Sequence, residues 1–383
     1  MTDQAPAIIS TDSPFATDVF VKRHPALIER ILGAWPLGPE QHHALRKLAE
    51  ENVSGFMEPL PASAPDADQW RAWGRDYYGK PWTAAPFLWA ESFFYRRLLN
   101  AVGYFGEGVW QGLDLFAPFK QAELAGEVVA AEVEALDDVA DLAKDDRGQA
   151  LLLSSLWGNR ADLSFQIQAG RSSENSGLVA DDSDQLWKLL EAARGGTLAI
   201  VADNAGSELI ADLALIDHLL TAGTVGEVVL YVKPAPYYVS DAMVADVGDC
   251  LRKLLTVDGA ARGVGERLRE AAANERLHVR TDPFFCAPFD FTAMPDNLRA
   301  QLASASATIL KGDLNYRRLV GDRWWDPTVP FGEVTSYFPG AVAALRTLKS
   351  DVAVGLEPGT LAALEASGTT WRTAGTHALI QVS

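Results

Sequence analysis

The sequence lacks most of the features that mark secreted, membrane-spanning or zinc-binding proteins. It contains two cysteines, Cys250 and Cys286, in 383 residues. Two are too few for a disulfide framework, so we expect both to be reduced core residues. The N-terminal segment has neither the basic nor the apolar region of a signal peptide, and no apolar run is long enough to cross a bilayer. We therefore expect a cytoplasmic protein without a membrane partner.

Positive charge is also scarce. Lys and Arg number 33 against 51 Asp and Glu, and the formal net charge is -18. This balance argues against nucleic acid as a partner, because Lys and Arg are what hold phosphate backbones. It still permits a phosphorylated metabolite, which a metal ion and a few local cations can bind. The six histidines show no metal-ligand spacing, so we predict no zinc site.

The second half of the chain alternates apolar runs of strand length with helical patterns. This alternation predicts an α/β fold with a mostly parallel sheet and helices on both faces. One further helix is expected to carry Arg346, Thr347 and Lys349. The predicted strands are Leu198–Val201, Glu227–Val232, Leu277–Val279, Ala307–Leu310 and Asp351–Leu356.

The first half is helical in pattern, and the chain divides into three predicted units. Residues 1–18 are expected to be a flexible tail, residues 19–168 an α-helical N-terminal domain, and residues 185–383 an α/β domain that binds metal and substrate. The segment Ala169–Asp184 is rich in Ser, Gly and Asp and predicts an exposed loop or domain junction. Aromatic residues between Trp70 and Trp110 are interpreted as helical core.

A polar turn follows the predicted strand that ends at Val201. It contains Asp203, Asn204 and Glu208, and an amphipathic helix pattern comes next. Ligands of α/β sheets bind at the carboxyl ends of the strands, and carboxylate and amide oxygens suit Mg²⁺ or Mn²⁺. An ordinary turn is the alternative, because Asp, Asn and Gly are common turn residues.

Two later strands also lead into carboxylates, Asp241 and Asp313. Because the ends of parallel strands share one edge of a sheet, we expect these residues to converge with Asp203. Two carboxylates and an amide around one cation leave coordination positions for water and a phosphate oxygen.

Cations follow the same pattern. Arg317, Lys349 and Lys233 are expected near this edge, where they would hold phosphate oxygens. A surface salt-bridge cluster is the alternative for Asp313–Arg318. Asn159 follows a run that should be buried, so its polar side chain is a candidate for the site wall.

Six separated motifs resemble those of the damage-control phosphatase family, long called domain of unknown function 89. The Arg-Thr-x-Lys motif is typical of the branch that includes proteins called acidic-residue methyltransferases. The resemblance extends from about residue 19 to the end of the chain. The motifs are Ala90-Glu91 through Tyr95-Arg-Arg97, Leu156-Trp-Gly-Asn159-Arg-Ala-Asp162-Leu-Ser, Asp203-Asn204-Ala-Gly-Ser-Glu208-Leu, Val239-Ser-Asp241, Lys311-Gly-Asp313-Leu-Asn-Tyr-Arg317 and Arg346-Thr-Leu-Lys349.

The resemblance implies an α-helical N-terminal domain packed on a Rossmann-like α/β domain. It also implies a metal-dependent phosphatase that acts on small phosphorylated metabolites, including sugar phosphates. The cofactor would be Mn²⁺, Co²⁺, Ni²⁺ or Mg²⁺, held by Asp203, Asn204 and Asp241. Asp203 and Asp241 would be catalytic, with either Asp203 or a metal-activated water as the attacking group.

The substrate contacts implied by the resemblance are Glu208, Asp313, Leu314, Asn315, Tyr316, Arg317 and Lys349, with Asn159 and Lys233 as candidate wall residues. Two departures concern the pocket. Tyr231 stands where relatives tend to have His, and Ser207 replaces a usually aromatic residue, which we expect to open the pocket. The sequence predicts no oligomeric state.

Two other functions compete with the phosphatase. One is S-adenosylmethionine-dependent O-methylation of protein glutamate carboxylates, as the name of the branch suggests. Rossmann-type methyltransferases use a glycine-rich loop after the first strand, whereas the turn Asp203–Glu208 has one glycine and three groups that favour a cation. The other is a metabolite-binding module without catalysis.

Overall fold

The computed structural model describes residues 5–158 and 177–383. Within these residues seven strands form one sheet in the order β1-β7-β6-β5-β2-β3-β4. All neighbouring strands are parallel except β6 and β7, which are antiparallel. The prediction of an α/β fold with a mostly parallel sheet is confirmed. The strands are β1 (Leu178–Asp181), β2 (Thr197–Val201), β3 (Glu227–Val232), β4 (Leu277–Thr281), β5 (Ala307–Lys311), β6 (Val342–Thr347) and β7 (Ala378–Val382).

Helices surround the sheet and also make up the described part of the first 158 residues. A π-helical turn at Val19–Arg23 joins the first two, and short 3-10 turns occur at Ser10–Asp12, Trp82–Ala84, Pro283–Cys286 and Phe291–Ala293. We number the described α-helices in chain order: α1 (Pro14–Asp18), α2 (His24–Ala34), α3 (Pro39–Ser54), α4 (Ala67–Gly74), α5 (Phe87–Val102), α6 (Ala117–Leu124), α7 (Glu127–Ala140), α8 (Lys144–Trp157), α9 (Ser183–Ala192), α10 (Ser207–Thr221), α11 (Val244–Thr256), α12 (Ala260–Ala273), α13 (Asp296–Ser304), α14 (Gly312–Val320), α15 (Phe331–Thr335) and α16 (Pro358–Ala366).

The sheet is buried on both faces, and its strands alternate between two hydrophobic clusters. In β2, Ala199 and Val201 pack into a cluster shared with the N-terminal helices α2, α3 and α5. Leu198 and Ile200 point the other way, into a cluster formed with α7, α8 and α10–α12. Parallel strands that are covered on both faces are nearly continuous apolar runs, and their positions can therefore be predicted from the sequence.

The aromatic stretch expected to be helical core is α5 and its neighbours. Phe93 of this helix is 0% exposed and stacks on Trp89 at 5.0 Å and on Trp82 at 5.6 Å between ring centroids. Burying a large apolar side chain contributes about 1.5–3 kcal/mol, so these rings anchor the N-terminal helices.

The C-terminal strand prediction was wrong. Arg346 and Thr347 lie in β6 rather than in a helix, and residues 351–356 form no strand. A short apolar run such as Val342–Leu345 fits a buried strand and a buried helix equally well, because periodicity does not separate the two. The antiparallel strand β7 was not anticipated.

Residues 5–18, the described part of the predicted flexible tail, pack against the rest of the protein. Ile8 is 1% exposed, its N–H donates to the carbonyl of Asp322 at 3.0 Å, and its own carbonyl accepts from Phe87 at 2.8 Å. These contacts pin residues 5–18 to the helical region and to the loop after α14. Of the predicted loop Ala169–Asp184, the described part contains β1 and the start of α9. No helix within 5–158 and 177–383 has both the length and the apolar character to span a bilayer.

Candidate functional site

The loops after β2 and β3 meet at the carboxyl edge of the sheet. Asn204 and Asp241 form an isolated antiparallel bridge. The N–H of Ala205 donates to Ser240 O at 2.7 Å, and the N–H of Ala242 donates to Asp203 O at 2.8 Å. These backbone bonds bring Asp203, Asn204 and Asp241 together, although 37 positions separate the last two in sequence.

Asp203 lies at this edge and is buried, with 7% of its surface exposed. Its Oδ2 accepts a hydrogen bond from Asn204 Nδ2 at 2.9 Å. On its other side is Gly312, the first residue of α14, where a Cβ atom would lie 1.9 Å from the same oxygen. Gly312 also has a φ of 82°, a left-handed conformation that favours glycine.

The surroundings of Asp203 and Asp241 disfavour the charged form of both carboxylates. Burial raises the pKa of Asp203 well above its usual range, and the charges of Glu208 and Asp241 raise it further, against opposing effects of Lys349 and Lys233. Burial also raises the pKa of Asp241, although Lys233 opposes the shift. A divalent cation between them would supply the missing positive charge, and their oxygens are the hard ligands that such ions prefer.

A metal ion at this edge would have two carboxylates and one amide as its candidate protein ligands. Within the described ranges, no group of three or more His, Cys, Asp and Glu side chains is placed to hold a metal ion. Such a sparse set resembles the way Mg²⁺ is bound, through one or two carboxylates with water and substrate phosphate filling the other positions.

Glu208 borders the site and connects it to a buried lysine, Lys311, which begins one of the quoted motifs but received no role from the sequence. Glu208 Oε2 accepts from Asn204 Nδ2 at 3.0 Å, and its Oε1 lies 3.6 Å from Lys311 Nζ. Lys311 is 1% exposed, lies 2.9 Å from Asp212 Oδ1 and donates to the carbonyl of Ser155. The sequence feature that could have identified Lys311 is a lysine at the last position of an apolar strand, here β5.

Asp313 organises the C-terminal part of the site. Its Oδ1 accepts from Arg346 Nε at 2.8 Å and from the backbone N–H of Lys349 at 3.0 Å. Burial alone would raise the pKa of Asp313, but the charges of Arg346 and Arg317 outweigh it and hold the pKa below the usual value. Asp313 thus fixes the turn that carries Lys349.

Lys349 and Lys233 are the two cations whose charges lower the pKa of Asp203. The side chain of Lys349 is exposed, and among the described residues no carboxylate lies within 4.0 Å of its ammonium group. Lys233 is instead 2% exposed, with its Nζ 4.0 Å from Asp241 Oδ2 and donating to Phe285 O at 3.2 Å. Lys349 can reach a ligand, whereas Lys233 lies behind Asp241.

Arg317 is placed differently from the expected phosphate contact. It is 4% exposed, pairs with Glu91 at 2.7 Å, and donates from Nε and Nη2 to the two carboxylate oxygens of Asp322 at 2.9 and 3.0 Å. Glu91 in turn accepts from the hydroxyl of Tyr238 at 3.1 Å, and the N–H of Tyr238 donates to Asp241 Oδ2 at 3.0 Å. Arg317 therefore supports the site from behind.

The three residues before it also have structural contacts. Leu314 is 7% exposed and packs with Leu88 and Tyr237. Asn315 Nδ2 donates to Lys311 O at 2.8 Å and to the carbonyl of Ala202, the residue after β2. Tyr316 is 0% exposed, and its hydroxyl donates to Gln381 Oε1 at 3.0 Å. The alternative of a surface salt-bridge cluster for Asp313–Arg318 was wrong, because this segment is mostly buried.

Two further expectations concern the pocket. Ser207 does not open space: it is 1% exposed, and its hydroxyl donates to Glu123 Oε1 at 3.0 Å. Glu123 thereby places a carboxylate at the N-terminus of α10, where helix dipoles favour negative charge. Tyr231 is also buried, with its hydroxyl donating to Gln301 Oε1 at 3.0 Å. Asn159 lies outside the described residues.

Comparisons with known proteins agree with these motifs. The damage-control phosphatase ARMT1-like domain matches residues 19–364. The chain is 33% identical over 342 residues to damage-control phosphatase ARMT1 of Bos taurus, covering 79% of this chain and 76% of that protein. It is 31% identical over 339 residues to the Homo sapiens protein of the same name, covering 78% and 75%. Its fold is similar to the crystal structure of a DUF89 family protein from Pyrococcus horikoshii, with a TM-score of 0.50 and 15% identity over 91% of this chain and 93% of the other. The chain therefore belongs to the damage-control phosphatase ARMT1-like family.

Proposed function

We propose that this protein is a divalent-metal-dependent phosphatase that hydrolyses small phosphorylated metabolites such as sugar phosphates. The family it belongs to is one of damage-control phosphatases, and the observation that carries the finer proposal is the convergence of Asp203, Asn204 and Asp241. In this proposal the metal is Mn²⁺, Co²⁺, Ni²⁺ or Mg²⁺.

The charge balance of these residues supports a bound cation. Asp203 and Asp241 are both buried, and burial raises the pKa of each. The charges of Glu208 and Asp241 raise the pKa of Asp203 further. A divalent ion held by Asp203, Asn204 and Asp241 would supply charge that polarises phosphoryl oxygens. Gly312 leaves Asp203 just enough room to keep its place in this group.

The surroundings of the three ligands support a phosphate ester as substrate. Lys349 is an exposed ammonium at the rim of an acidic site, where it can hold a non-bridging phosphate oxygen. Asp313 and Arg346 hold its backbone in place. Glu208 is partly exposed and accepts from the same Asn204 nitrogen as Asp203, and a carboxylate there can accept hydrogen bonds from sugar hydroxyls.

The contacts of the turn Asp203–Glu208 favour this function over methyl transfer. Its single glycine, Gly206, faces Glu123, and a Cβ there would lie 2.5 Å from Glu123 Oε1. The helix N-terminus that follows is thus already paired with a carboxylate. A nucleoside cofactor such as S-adenosylmethionine would meet an acidic turn with no glycine-rich opening.

The deciding experiment measures phosphate release by the full-length protein after its metals are removed with EDTA. An aryl phosphate and a panel of sugar phosphates are supplied, each with Mn²⁺, Co²⁺, Ni²⁺ or Mg²⁺. We expect activity only with added metal. Asp241→Asn should abolish it, whereas the matched control Asp258→Asn, at a side chain that is 99% exposed, should behave as wild type.

Calorimetry with S-adenosylmethionine separates the alternatives. Tight binding of this cofactor together with no phosphate release from any ester would replace our proposal with the methyltransferase. Binding of sugar phosphates without turnover under every metal would leave a binding module instead.

A further inference from the structure

A cavity lies away from the candidate active site. Its volume is about 530 Å³, within the range of roughly 300–1,000 Å³ typical of small-molecule pockets. It is an open cleft between α7, α8, α10 and α12. Glu208 is in the first turn of α10 and His218, which lines the cavity, is in its last turn. Ten residues of helix separate them by about 15 Å, so the two sites are distinct.

The cavity exists because small residues line it where the four helices meet. Where larger side chains would fill the gap between helices, alanine and glycine leave it open. The remaining floor is apolar, with contributions from Val139, Leu151 and Val264. The small lining residues are Ala140, Ala214, Ala222, Ala260 and Gly263.

The rim of the cavity is positively charged. Arg267 also lines it, but its charge is cancelled by a two-point pair with Asp217 at 2.8 and 2.7 Å. For Lys144 and Arg147, no carboxylate lies within 4.0 Å in the part of the chain that the structure describes. In a chain with a formal net charge of -18, two cations beside one cavity that form no ion pair with a described carboxylate are a distinctive feature.

Arg147 in particular has unused hydrogen-bonding capacity. Its Nη2 donates to the carbonyls of Ala140 at 2.6 Å and Leu142 at 3.0 Å, at the C-terminus of α7, so its described partners are backbone carbonyls rather than carboxylates. Within 5–158 and 177–383, its Nε is buried and has no hydrogen-bond partner. Asp145 and Asp146 line an adjoining cavity of about 380 Å³, which shares Lys144 and His218 with this one.

We propose that this cavity binds a small amphipathic organic anion. The apolar body of the ligand would occupy the space between the helices, and its acidic group would pair with Lys144 and Arg147. Apolar enclosure with a few polar groups at one end is the usual construction of a small-molecule site. Neither the proposed phosphatase reaction nor its metal takes part in this binding.

The test uses 8-anilinonaphthalene-1-sulfonate, an anion with an aromatic body, and the full-length protein. Fluorescence titration should show one saturable site per chain. N-phenyl-1-naphthylamine, which has the same body without the sulfonate, should bind at least about tenfold more weakly, because a charge-assisted contact is lost. This comparison needs no variant.

Variants then locate the site. Lys144→Met with Arg147→Met should weaken binding of the sulfonate by about ten- to a hundredfold, and Ala140→Trp, at an exposed rim position, should abolish it by filling the opening. Lys188→Met, at an exposed lysine outside the cavity, is the matched control and should bind as wild type. Should the double variant fail to fold, as judged by its melting temperature, Ala140→Trp decides. Equal binding of both dyes, several weak sites, or binding unchanged by Ala140→Trp would overturn the proposal.

Discussion

The α-carbon of Gly312 lies directly against the carboxylate of Asp203. A Cβ atom at position 312 would be 1.9 Å from Asp203 Oδ2, far closer than two non-bonded atoms approach. The two residues come from different strand–helix units, 109 positions apart in the chain. The position of the candidate metal ligand therefore depends on the absence of a side chain at Gly312.

Gly312→Ala should displace Asp203 and lower the kcat/KM for phosphate release by at least about a hundredfold, since metal ligation tolerates little misplacement. The φ of 82° adds backbone strain, so the melting temperature should also fall. Gly33→Ala is the matched control, because Gly33 lies in α2 with open space around it and alanine favours helix. Wild-type activity in Gly312→Ala would show that Asp203 is not needed where it lies.

Lys349 and Asp241 should differ in their response to metal. Lys349→Ala removes one charge-assisted contact worth about 1.5–3 kcal/mol, so kcat/KM should fall by roughly ten- to a hundredfold. Asp241→Ala removes a proposed metal ligand and should cost much more. Excess metal should partly restore Asp241→Ala and leave Lys349→Ala unchanged.

Steady-state kinetics at rising metal concentration make this comparison, with Lys188→Ala as the control at an exposed lysine. Because the side chain of Lys349 is exposed, Lys349→Ala should also keep the wild-type melting temperature. Equal rescue of both variants by metal would mean that Lys349 acts in metal binding.

Arg317 should prove more important for stability than for substrate affinity. Arg317→Met leaves the buried carboxylates of Glu91 and Asp322 without their partner, which typically costs about 3–5 kcal/mol. Urea unfolding should show this loss. Arg262→Met, which breaks an exposed pair with Asp258, should cost less than about 1 kcal/mol. A stable Arg317→Met variant with a raised KM would instead favour direct substrate contact.

His24 should make the protein sensitive to mild acid. Its ring stacks on Phe94 at 3.6 Å, its Nδ1 lies 2.8 Å from Asn52 Oδ1, and burial lowers the pKa of His24 from 6.5 to about 3. The unfolded chain therefore binds a proton at a pH where the folded chain does not. The free energy of unfolding should fall as the pH drops from about 6.5 towards 3, by up to about 1.4 kcal/mol per pH unit.

Unfolding by urea at pH 7, 6 and 5 measures this slope. His24→Phe keeps an aromatic ring but leaves the buried Asn52 without its hydrogen-bond partner, so it should be less stable at pH 7. Because phenylalanine cannot be protonated, the variant should also lose the His24 part of the slope. A slope that is identical in wild type and His24→Phe would assign the acid sensitivity to other groups. An NMR titration of the His24 ring gives an independent check of its pKa.

The sequence by itself determined the central strands and the turn after β2. Leu198–Val201 and Ala307–Leu310 are apolar runs covered on both faces, and such strands carry their pattern locally. The grouping of Asp203 with Asp241 was also predictable, because parallel neighbours place their carboxyl ends at one edge. The roles of these residues in metal binding and catalysis stay predictions.

Only the tertiary structure decided what each polar side chain contacts. Arg317 reads in the sequence as a cation beside a carboxylate motif, yet Glu91, 226 positions away, takes one side of its guanidinium. Lys311 reads as the end of a strand, but it lies between Glu208, Asp212 and the carbonyl of Ser155. Strand periodicity depends on neighbours along the chain, whereas a buried charge is satisfied by whichever partner the packing of distant helices brings within reach.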